Sequence, residues 1–284
     1  MKNKLKSFIY RLLSHTVGNA LVALQPKKAL ELSKKGMTLE MCNHLSATER
    51  LMRNAMLKKL EKKKDYKTLE NYHKNYWANY GAEFFSKTND SFKTEFLTDC
   101  AFIFDELHEQ LLKQTETFTT LVEIGTGNGN VLNYLNSKFP KIEKFIGIDL
   151  SEKQINLNTE KYKANEKMEF VTSDGFEWVN ENGHSNMIFV TSRGVLEYFT
   201  EERLTEFLAK LNTLGKTIFV AIEPNGINHN FDENPNSELY GHERSFSHNY
   251  AELFKNAGFK IWHASQKECI KDSYLQSFTG SINF

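Results

Sequence analysis

The C-terminal part of this 284-residue sequence predicts an α/β fold in which a mostly parallel sheet is flanked by helices. Short apolar segments alternate with amphipathic helical patterns from Thr119 onward, as is typical of parallel sheets. A glycine-rich turn follows the first apolar segment, and acidic residues follow the next two. The seven predicted strands are 120–125, 144–149, 168–172, 187–191, 216–223, 259–265 and 274–282.

Capping residues place helices between these strands. Ser151 and Gln154 have the spacing of a capping box, and Thr200 precedes the apolar stripe of another predicted helix. Ser247 is the predicted N-cap of the last helix, and Gly258 follows that helix where a left-handed backbone favours glycine. Each early crossover between strands is therefore expected to be a short helix.

Residues 1–115 predict an N-terminal helical extension. Apolar residues recur at helical spacing over 5–24 among Lys and Arg, which predicts a basic amphipathic helix. Such a helix either lies on a membrane surface or packs on the neighbouring domain. Further helical patterns cover 27–64, interrupted near Gly36, and 92–115.

Charge is unevenly distributed along a chain whose formal net charge is zero. Residues 1–64 hold 15 Lys and Arg against 4 Asp and Glu, so the remainder carries the compensating negative charge. The asymmetry indicates a basic docking surface for a membrane, an acidic partner or a nucleic acid. Alternatively, it reflects a basic helical face that packs near an acidic body. The neutral total gives no global attraction to nucleic acid.

Cysteine and hydropathy patterns indicate the compartment. Cys42, Cys100 and Cys269 match neither a zinc spacing nor a disulfide framework, which favours a reducing, cytoplasmic location. No apolar run approaches the roughly 20 residues that span a bilayer. The apolar stretch after Lys6 is broken by polar residues, so we expect no signal peptide.

We also expect no catalytic metal, since the acidic residues and histidines do not have the spacing of metal ligands.

The glycine-rich turn lies in Leu121 to Asn130, with the sequence LVEIGTGNGN. Gly125, Gly127 and Gly129 permit positive φ and let a ligand approach the backbone where any Cβ would clash. The amides at the start of the following helix can donate to polar groups of a ligand. Alone, the loop is a weak signal, because a tight strand-to-helix turn needs the same glycines.

Acids at later strand ends strengthen this interpretation. Asp149 ends the second strand, 26 residues after Glu123, where a carboxylate can accept both hydroxyls of a ribose. Asp174 follows the third strand, where it can accept from an adenine amino group while Phe176 covers the base. Asn130 stands where a dinucleotide fingerprint has its last glycine, and Glu123 would repel a pyrophosphate but not a cationic sulfonium.

Four segments in order resemble the class I (Rossmann-like) S-adenosylmethionine-dependent methyltransferase family. Residues 123–129 (EIGTGNG) resemble its motif I, and 146–151 (IGIDLS) resemble the motif with the ribose-binding acid. Ser173-Asp174 resembles the adenine-contacting acid, and 194–199 (GVLEYF) resembles the segment after the fourth strand. As an ensemble these matches are specific, although each alone is not.

The resemblance implies a fold, a cofactor and residues that bind it. It spans roughly residues 119–265, within a methyltransferase domain of 116–284. It implies the strand order 3-2-1-4-5-7-6 with the seventh strand antiparallel, and S-adenosylmethionine as the cofactor. The expected cofactor-binding residues are Glu123, Gly125, Thr126, Gly127, Asn128, Gly129, Asp149, Leu150, Ser173, Asp174, Gly175, Phe176, Thr191 and Tyr76.

The end of the fourth strand departs from the family pattern, which often has an acid or Asn there to hold the methyl donor. Thr191-Ser192-Arg193 occupies that place. Backbone carbonyls would still serve, but an arginine close to a sulfonium is unfavourable. We therefore expect Arg193 to point away from the donor or to bind an acidic substrate.

Aromatic residues are concentrated in 66–85, and Tyr76, Trp77 and Tyr80 are the densest group. Tyr76 and Tyr80 share a helix face because they are four positions apart. In related small-molecule methyltransferases an N-terminal helix closes over the cofactor. The cluster therefore predicts either such a lid or aromatic packing between a helix and the sheet.

Substrate contacts are expected after the fourth and fifth strands, because α/β sheets bind ligands outside the carboxyl ends of their strands. His229 is the first candidate for a general base and His242 the second, although each also suits an ordinary loop hydrogen bond. Glu197, Tyr240 and Arg244 are candidate substrate contacts. Glu197 equally suits a first helical turn, and Arg244 a surface ion pair.

The sequence thus predicts a methyltransferase that acts on a small molecule, at oxygen or nitrogen. An RNA or protein methyltransferase is the second hypothesis, opposed by the neutral charge and the lack of an RNA-binding module or an N/D-P-P-[YF] motif. A non-catalytic binding protein that keeps the fold is the third. No nucleic-acid partner is expected, and residues 1–25 are the candidate membrane contact. The acceptor, the atom methylated and the oligomeric state do not follow from the sequence.

Overall fold

The computed structural model describes residues 14–36, 44–270 and 274–284. The part of the predicted helix over 5–24 that precedes Ser14 lies outside these residues, and the rest is helical. Within the described ranges, no helix combines the length and the apolar character needed to cross a membrane.

Contacts divide the chain into two compact units. The first comprises Met1–Phe84 with Gly241–Arg244, and the second comprises Phe85–Tyr240 with Ser245–Phe284. The second unit begins upstream of the boundary that we expected near residue 116. The reason is that Phe96, Ile103 and other apolar residues before position 116 pack into the core of the sheet.

The first unit is helical. Its elements are a π-helical turn at Ser14–Gly18, α1 (Asn19–Leu24), α2 (Pro26–Lys35), α3 (Ala47–Lys63) and α4 (Tyr66–Lys87), whose last residues belong to the second unit. A capping box begins α3, in which Ser46 Oγ accepts from Glu49 N at 3.4 Å and Glu49 Oε2 accepts from Ser46 N at 2.7 Å. The break after α2 lies at Gly36, where φ is 75°.

The second unit alternates helices and strands. Its helical elements are a π-helical segment (Phe92–Cys100), α5 (Ile103–Leu112), α6 (Asn130–Lys138), α7 (Glu152–Tyr162), α8 (Gly175–Asn182), a 3₁₀ turn (Leu196–Tyr198), α9 (Glu201–Thr213) and α10 (Tyr250–Asn256). Its strands are β1 (Thr120–Ile124), β2 (Lys144–Asp149), β3 (Met168–Thr172), β4 (Met187–Ser192), β5 (Thr217–Gly226), β6 (Glu238–Tyr240), β7 (Ser245–Ser247), β8 (Lys260–Ile270) and β9 (Tyr274–Ile282). All seven predicted strands form, and the short hairpin β6–β7 is an addition to them.

Seven strands form one sheet in the order β3-β2-β1-β4-β5-β9-β8. β9 runs antiparallel to both of its neighbours, whereas the pairs from β3 to β5 are parallel. With the hairpin strands left out of the numbering, this is the order 3-2-1-4-5-7-6. The predicted fold class is therefore confirmed.

Each face of the sheet carries a hydrophobic core. Leu121 packs in one core with residues of α5 and α6, whereas Val122 and Ile124 pack in the other with residues of α8, α9 and α10. Burial on both faces explains why the strands are nearly continuous apolar runs. The carboxyl ends of β1, β2, β4 and β5 meet at one edge, and polar residues follow each of them.

Most of the predicted caps are confirmed. Ser151 caps α7 and Thr200 caps α9. The reciprocal bond of the predicted capping box does not form, because Ser151 N donates to Asp149 Oδ1 and the Gln154 side chain bonds to Asn158 instead. Contrary to the prediction, Ser247 does not cap α10, because it lies in β7, and Asn249 caps the helix instead. Gly258 follows α10 with a φ of 95°, as predicted for a glycine after a helix end.

Candidate functional site

The loop between β1 and α6 has positive φ angles at three positions, and each of them is occupied by a glycine. Gly125, Gly127 and Gly129 have φ values of 72°, 50° and 72°. A Cβ on Gly127 would lie 2.6 Å from the ring of Phe85, and one on Gly125 would lie 2.4 Å from Val195 Cγ2. Any larger residue would therefore combine an unfavourable φ with a collision.

Asp149, at the end of β2, is hydrogen-bonded to this loop. Its Oδ2 accepts from Gly127 N at 3.0 Å, and its Oδ1 accepts from Ser151 N at 2.9 Å. Its backbone oxygen accepts from Ser173 N at 3.1 Å, which joins the ends of β2 and β3. Asp149 is 7% exposed, and burial raises the pKa of its carboxyl. Because each carboxylate oxygen accepts more than one hydrogen bond, Asp149 can hold the loop and still accept hydroxyl groups.

Glu123 lies behind the loop. It is fully buried, its Oε2 accepts from Thr126 Oγ1 at 2.7 Å, and its Oε1 accepts from Ser192 Oγ at 2.6 Å. Burial raises the pKa of its carboxyl to about 7, against the opposite effect of these hydrogen bonds. Glu123 therefore joins β1, the loop and β4, and its direct contact with a cofactor stays a prediction.

Helix α7 supports the loop from the side. Asn158 Nδ2 donates to Gly127 O at 2.7 Å, and Gln154 Nε2 donates to Asn158 Oδ1 at 2.8 Å. Lys161 Nζ donates to Asn130 Oδ1 at 2.8 Å. These contacts were not predicted, although Gln154 and Asn158 stand four positions apart, which places them on one face of α7.

The last residue of the aromatic stretch and a residue just beyond it also contact the loop. Phe85 faces Gly127, and Asn89 Oδ1 accepts from Asn128 Nδ2 at 3.2 Å. Tyr76, the predicted aromatic contact, belongs to the first unit, where its buried ring lies 5.4 Å from that of Trp77. The contact of Tyr76 with a cofactor stays a prediction.

Asp174 has a structural role at the start of α8. Its Oδ1 accepts from Phe176 N at 3.0 Å and pairs with Arg203, whose guanidinium lies 4.4 Å from the ring centre of Phe199. A Cβ on Gly175 would lie 2.3 Å from a methyl group of β1, so this glycine permits close packing. The predicted contact of Asp174 with adenine would have to coexist with this ion pair.

A second buried carboxylate comes from β5. Glu223 is fully buried, and its Oε2 accepts from Val195 N at 2.9 Å and from Leu196 N at 3.1 Å. Its Oε1 and Thr191 Oγ1 are buried and form no hydrogen bond of good geometry with the described residues. Burial raises the pKa of Glu223 to about 7, and the nearby Thr191 hydroxyl offsets this only in part. Because Val195 also lies against Gly125, Glu223 positions the segment that covers the glycine loop.

Arg193, which follows β4, has a left-handed φ of 65°. Its backbone N donates to Ile222 O at 2.7 Å, and its guanidinium pairs with Glu95. This pairing favours the first of the two expectations, that the arginine points away from a methyl donor.

The predicted substrate contacts fall in both units. Tyr240 OH donates to Glu197 Oε2, and burial together with the Glu197 carboxylate raises the pKa of Tyr240. Both residues belong to the second unit, whereas Arg244 belongs to the first, where its Nε lies 3.6 Å from Glu61 Oε2. The structure thus brings together Glu197 and Tyr240.

The histidine candidates have ordinary surroundings. Both ring nitrogens of the buried His229 are engaged, Nδ1 with Ser247 Oγ and Nε2 with Asn234 O, each at 2.9 Å. His242 is exposed and belongs to the first unit. As a general base, His229 would first have to break a loop hydrogen bond, and both assignments stay predictions. Within the described ranges, no group of three or more His, Cys, Asp or Glu is arranged to hold a metal.

A family model described as "Methyltransferase domain" matches residues 95–264, which is more than half of the chain. The chain therefore belongs to this methyltransferase family, which confirms the resemblance found in the sequence. A search of curated proteins finds no match.

Solved methyltransferase structures resemble the chain at low sequence identity. The 1,6-didemethyltoxoflavin-N1-methyltransferase of Burkholderia thailandensis is 17% identical with a TM-score of 0.49, over 72% of this chain and 86% of that one. The magnesium protoporphyrin IX methyltransferase of Synechocystis PCC 6803 is 15% identical with a TM-score of 0.43, over 63% and 77%. The N-methyltransferase NodS of Bradyrhizobium japonicum WM9 is 13% identical with a TM-score of 0.42, over 63% and 86%.

Proposed function

We propose that this protein uses S-adenosylmethionine to methylate a small molecule at oxygen or nitrogen. The observation that carries the proposal, beside the family match, is the hydrogen bond between Gly127 N and Asp149 Oδ2. It joins the glycine-rich turn to an acid at the end of the adjacent strand. When bound, the cofactor supplies an electrophilic methyl group, and the protein's task is to align it with the acceptor.

The residues at the ends of β1 and β2 fit this cofactor. Gly125 and Gly127 leave the backbone open to close approach, and Asp149 offers acceptors for ribose hydroxyls. Glu123 places a titratable carboxyl behind the loop, and its negative form favours a cationic sulfonium and amino group. Beyond β3, Asp174 and Phe176 would contact the adenine.

The acceptor would bind beyond β4 and β5. Glu197 and Tyr240 form a hydrogen-bonded pair there, with Gly194 beside the Glu197 carboxylate. A carboxylate and a phenol can orient an acceptor that carries hydroxyl or amino groups. His229 is proposed as the base that removes the acceptor's proton, after release of one of its loop hydrogen bonds.

The proposed location is the cytoplasm, with residues 1–25 as a peripheral membrane contact. The support is the basic amphipathic pattern of the sequence, together with Val17 and Leu24, whose side chains are exposed. Deletion of residues 1–25 should weaken vesicle binding if this helix is interfacial. If the helix packs on the protein, the deletion should change solubility alone.

Turnover on a panel of small acceptors tests the function. The assay follows formation of S-adenosylhomocysteine by the purified full-length chain, with amines, phenols and carboxylic acids offered separately. Turnover of a small acceptor supports the proposal. Cofactor binding without turnover on any acceptor would point to a binding protein, and turnover on RNA or protein alone would contradict the small-molecule assignment.

A further inference from the structure

Five lysines cluster in the last two turns of α3 and at its C-cap, and we call this surface the lysine face. We define it as Lys58, Lys59, Lys62 and Lys63, together with Lys64, which caps the helix. All but Lys58 are exposed. Over the described ranges, none of the five forms an ion pair.

The acids nearest in sequence are engaged elsewhere. Glu61, in the middle of the run, lies 3.6 Å from Arg244 Nε, and Asp65 Oδ1 accepts from Thr68 N at 3.2 Å at the start of α4. These acids therefore do not pair with the lysines. The lysine face therefore keeps its positive charge, even though two acidic residues are close to it in sequence.

Helix stability accounts for only part of this arrangement. Lys62 and Lys63 lie in the last turn of α3, where the helix dipole favours positive charge. Lys58 and Lys59 lie a turn earlier, and each stands four positions before another lysine, a spacing that is unfavourable for like charges. The face thus carries more positive charge than its helix needs.

A groove lies beside this face. Four of the lysines line it together with Asn19 and Asn54, and its volume is about 270 Å³. Pockets for drug-sized molecules usually measure roughly 300–1,000 Å³. The ammonium groups of the lysines that line it can donate hydrogen bonds to a phosphate group.

Exposed aliphatic side chains lie on the elements packed against α3. Val17, in the π-helical turn, is 42% exposed, and Leu24, at the end of α1, is 79% exposed. Lysines combined with aliphatic groups suit the boundary between lipid headgroups and acyl chains. Single-stranded nucleic acid would instead be bound through exposed aromatic rings, on which bases stack.

We propose that the lysine face docks the protein on an anionic lipid bilayer, with a lipid phosphate in the groove. The positive face would be drawn to the negative membrane surface, and Val17 and Leu24 would enter the interface. The proposal rests on neither methyl transfer nor residues 1–13. It extends the membrane contact proposed for residues 1–25, to which Val17 and Leu24 belong, onto the lysines of α3.

Co-sedimentation of the full-length protein with vesicles tests the docking. Wild type should bind phosphatidylcholine vesicles that contain phosphatidylglycerol, bind pure phosphatidylcholine weakly, and lose binding as salt is raised. Lys59→Gln, Lys62→Gln and Lys63→Gln together should reduce the partition coefficient on the order of a hundredfold. The matched control replaces Lys113, Lys141 and Lys153, which are exposed lysines of the second unit, and should bind like wild type.

Three results would overturn the proposal. They are equal binding of wild type to charged and neutral vesicles, equal binding by the α3 variant and its control, and binding of a short RNA in place of vesicles. Circular dichroism confirms that both variants fold, and Lys62→Glu provides a second reduction of charge. S-adenosylmethionine affinity, measured on the same samples, should be unchanged, so that failure of the cofactor proposal is seen separately.

Discussion

Gly127 and Asp149 are joined by a 3.0 Å hydrogen bond from a loop amide to a strand-end carboxylate. Asp149 therefore holds the glycine loop, and as the last residue of β2 it stands at the edge where parallel α/β sheets bind ligands.

Asp149→Ala should weaken S-adenosylmethionine binding about 10- to 100-fold. The substitution removes the proposed ribose acceptor, and a hydrogen bond to a charged group contributes about 1.5–3 kcal/mol. Titration calorimetry measures the affinity, and Asp149→Asn, which keeps one acceptor oxygen, should lose less. Normal affinity in the alanine variant would refute the ribose assignment.

Gly127→Val should abolish cofactor binding, whereas Gly241→Val should not. Both glycines have positive φ, at 50° and 67°, so both variants bear a left-handed backbone cost of about 1–2 kcal/mol. A Cβ at Gly127 would meet the Phe85 ring, whereas one at Gly241 would have nothing within 4 Å. Denaturant unfolding and calorimetry on both proteins make the comparison, and equal cofactor affinities would contradict it.

Glu223→Gln should change how stability depends on pH. The pKa of Glu223 is raised from 4.5 to about 7, so the folded state holds a proton that the unfolded state loses in this window. The stabilisation from that proton is present below about pH 4.5 and is lost as pH rises through 7. Wild type should therefore lose up to about 3 kcal/mol relative to the glutamine variant between pH 4.5 and 8.

Urea unfolding at several pH values gives this difference directly. Glu123→Gln should behave in the same direction, because burial also raises the pKa of Glu123 to about 7. A free-energy difference between wild type and Glu223→Gln that stays constant with pH would contradict the raised pKa.

His229→Ala distinguishes a catalytic base from a loop residue. Removal of two hydrogen bonds at 2.9 Å should reduce the free energy of unfolding by about 1–3 kcal/mol. If His229 is the base, turnover should also fall at saturating cofactor while the affinity for S-adenosylmethionine is unchanged. Unchanged turnover in a folded variant would remove His229 from the mechanism.

Local signals explain how much of the fold could be predicted. Continuous apolar runs gave all of the sheet strands, and the family resemblance gave their order. The hairpin strands Glu238–Tyr240 and Ser245–Ser247 escaped because three residues are too few to show an alternating pattern. The missed cap at Asn249 follows from the same hairpin, which takes Ser247 into a strand.

The part of the site whose residues lie close together in sequence could be predicted. The glycines of the loop and Asp149 belong to one strand–turn–helix–strand unit, and spacing alone places them together. Ser192 meets Glu123 across 69 positions, because β4 lies beside β1 in the sheet. Glu223 meets Val195 across 28 positions for a similar reason, so neither contact could be inferred without the strand register.

A crystal structure of the full-length protein with S-adenosylhomocysteine tests the central claim most directly. The account predicts ribose hydroxyls within hydrogen-bond distance of the Asp149 carboxylate, with the amino-acid part against Gly125 and Gly127. Density for the ligand at another place, or crystals grown at saturating ligand that contain none, would contradict it.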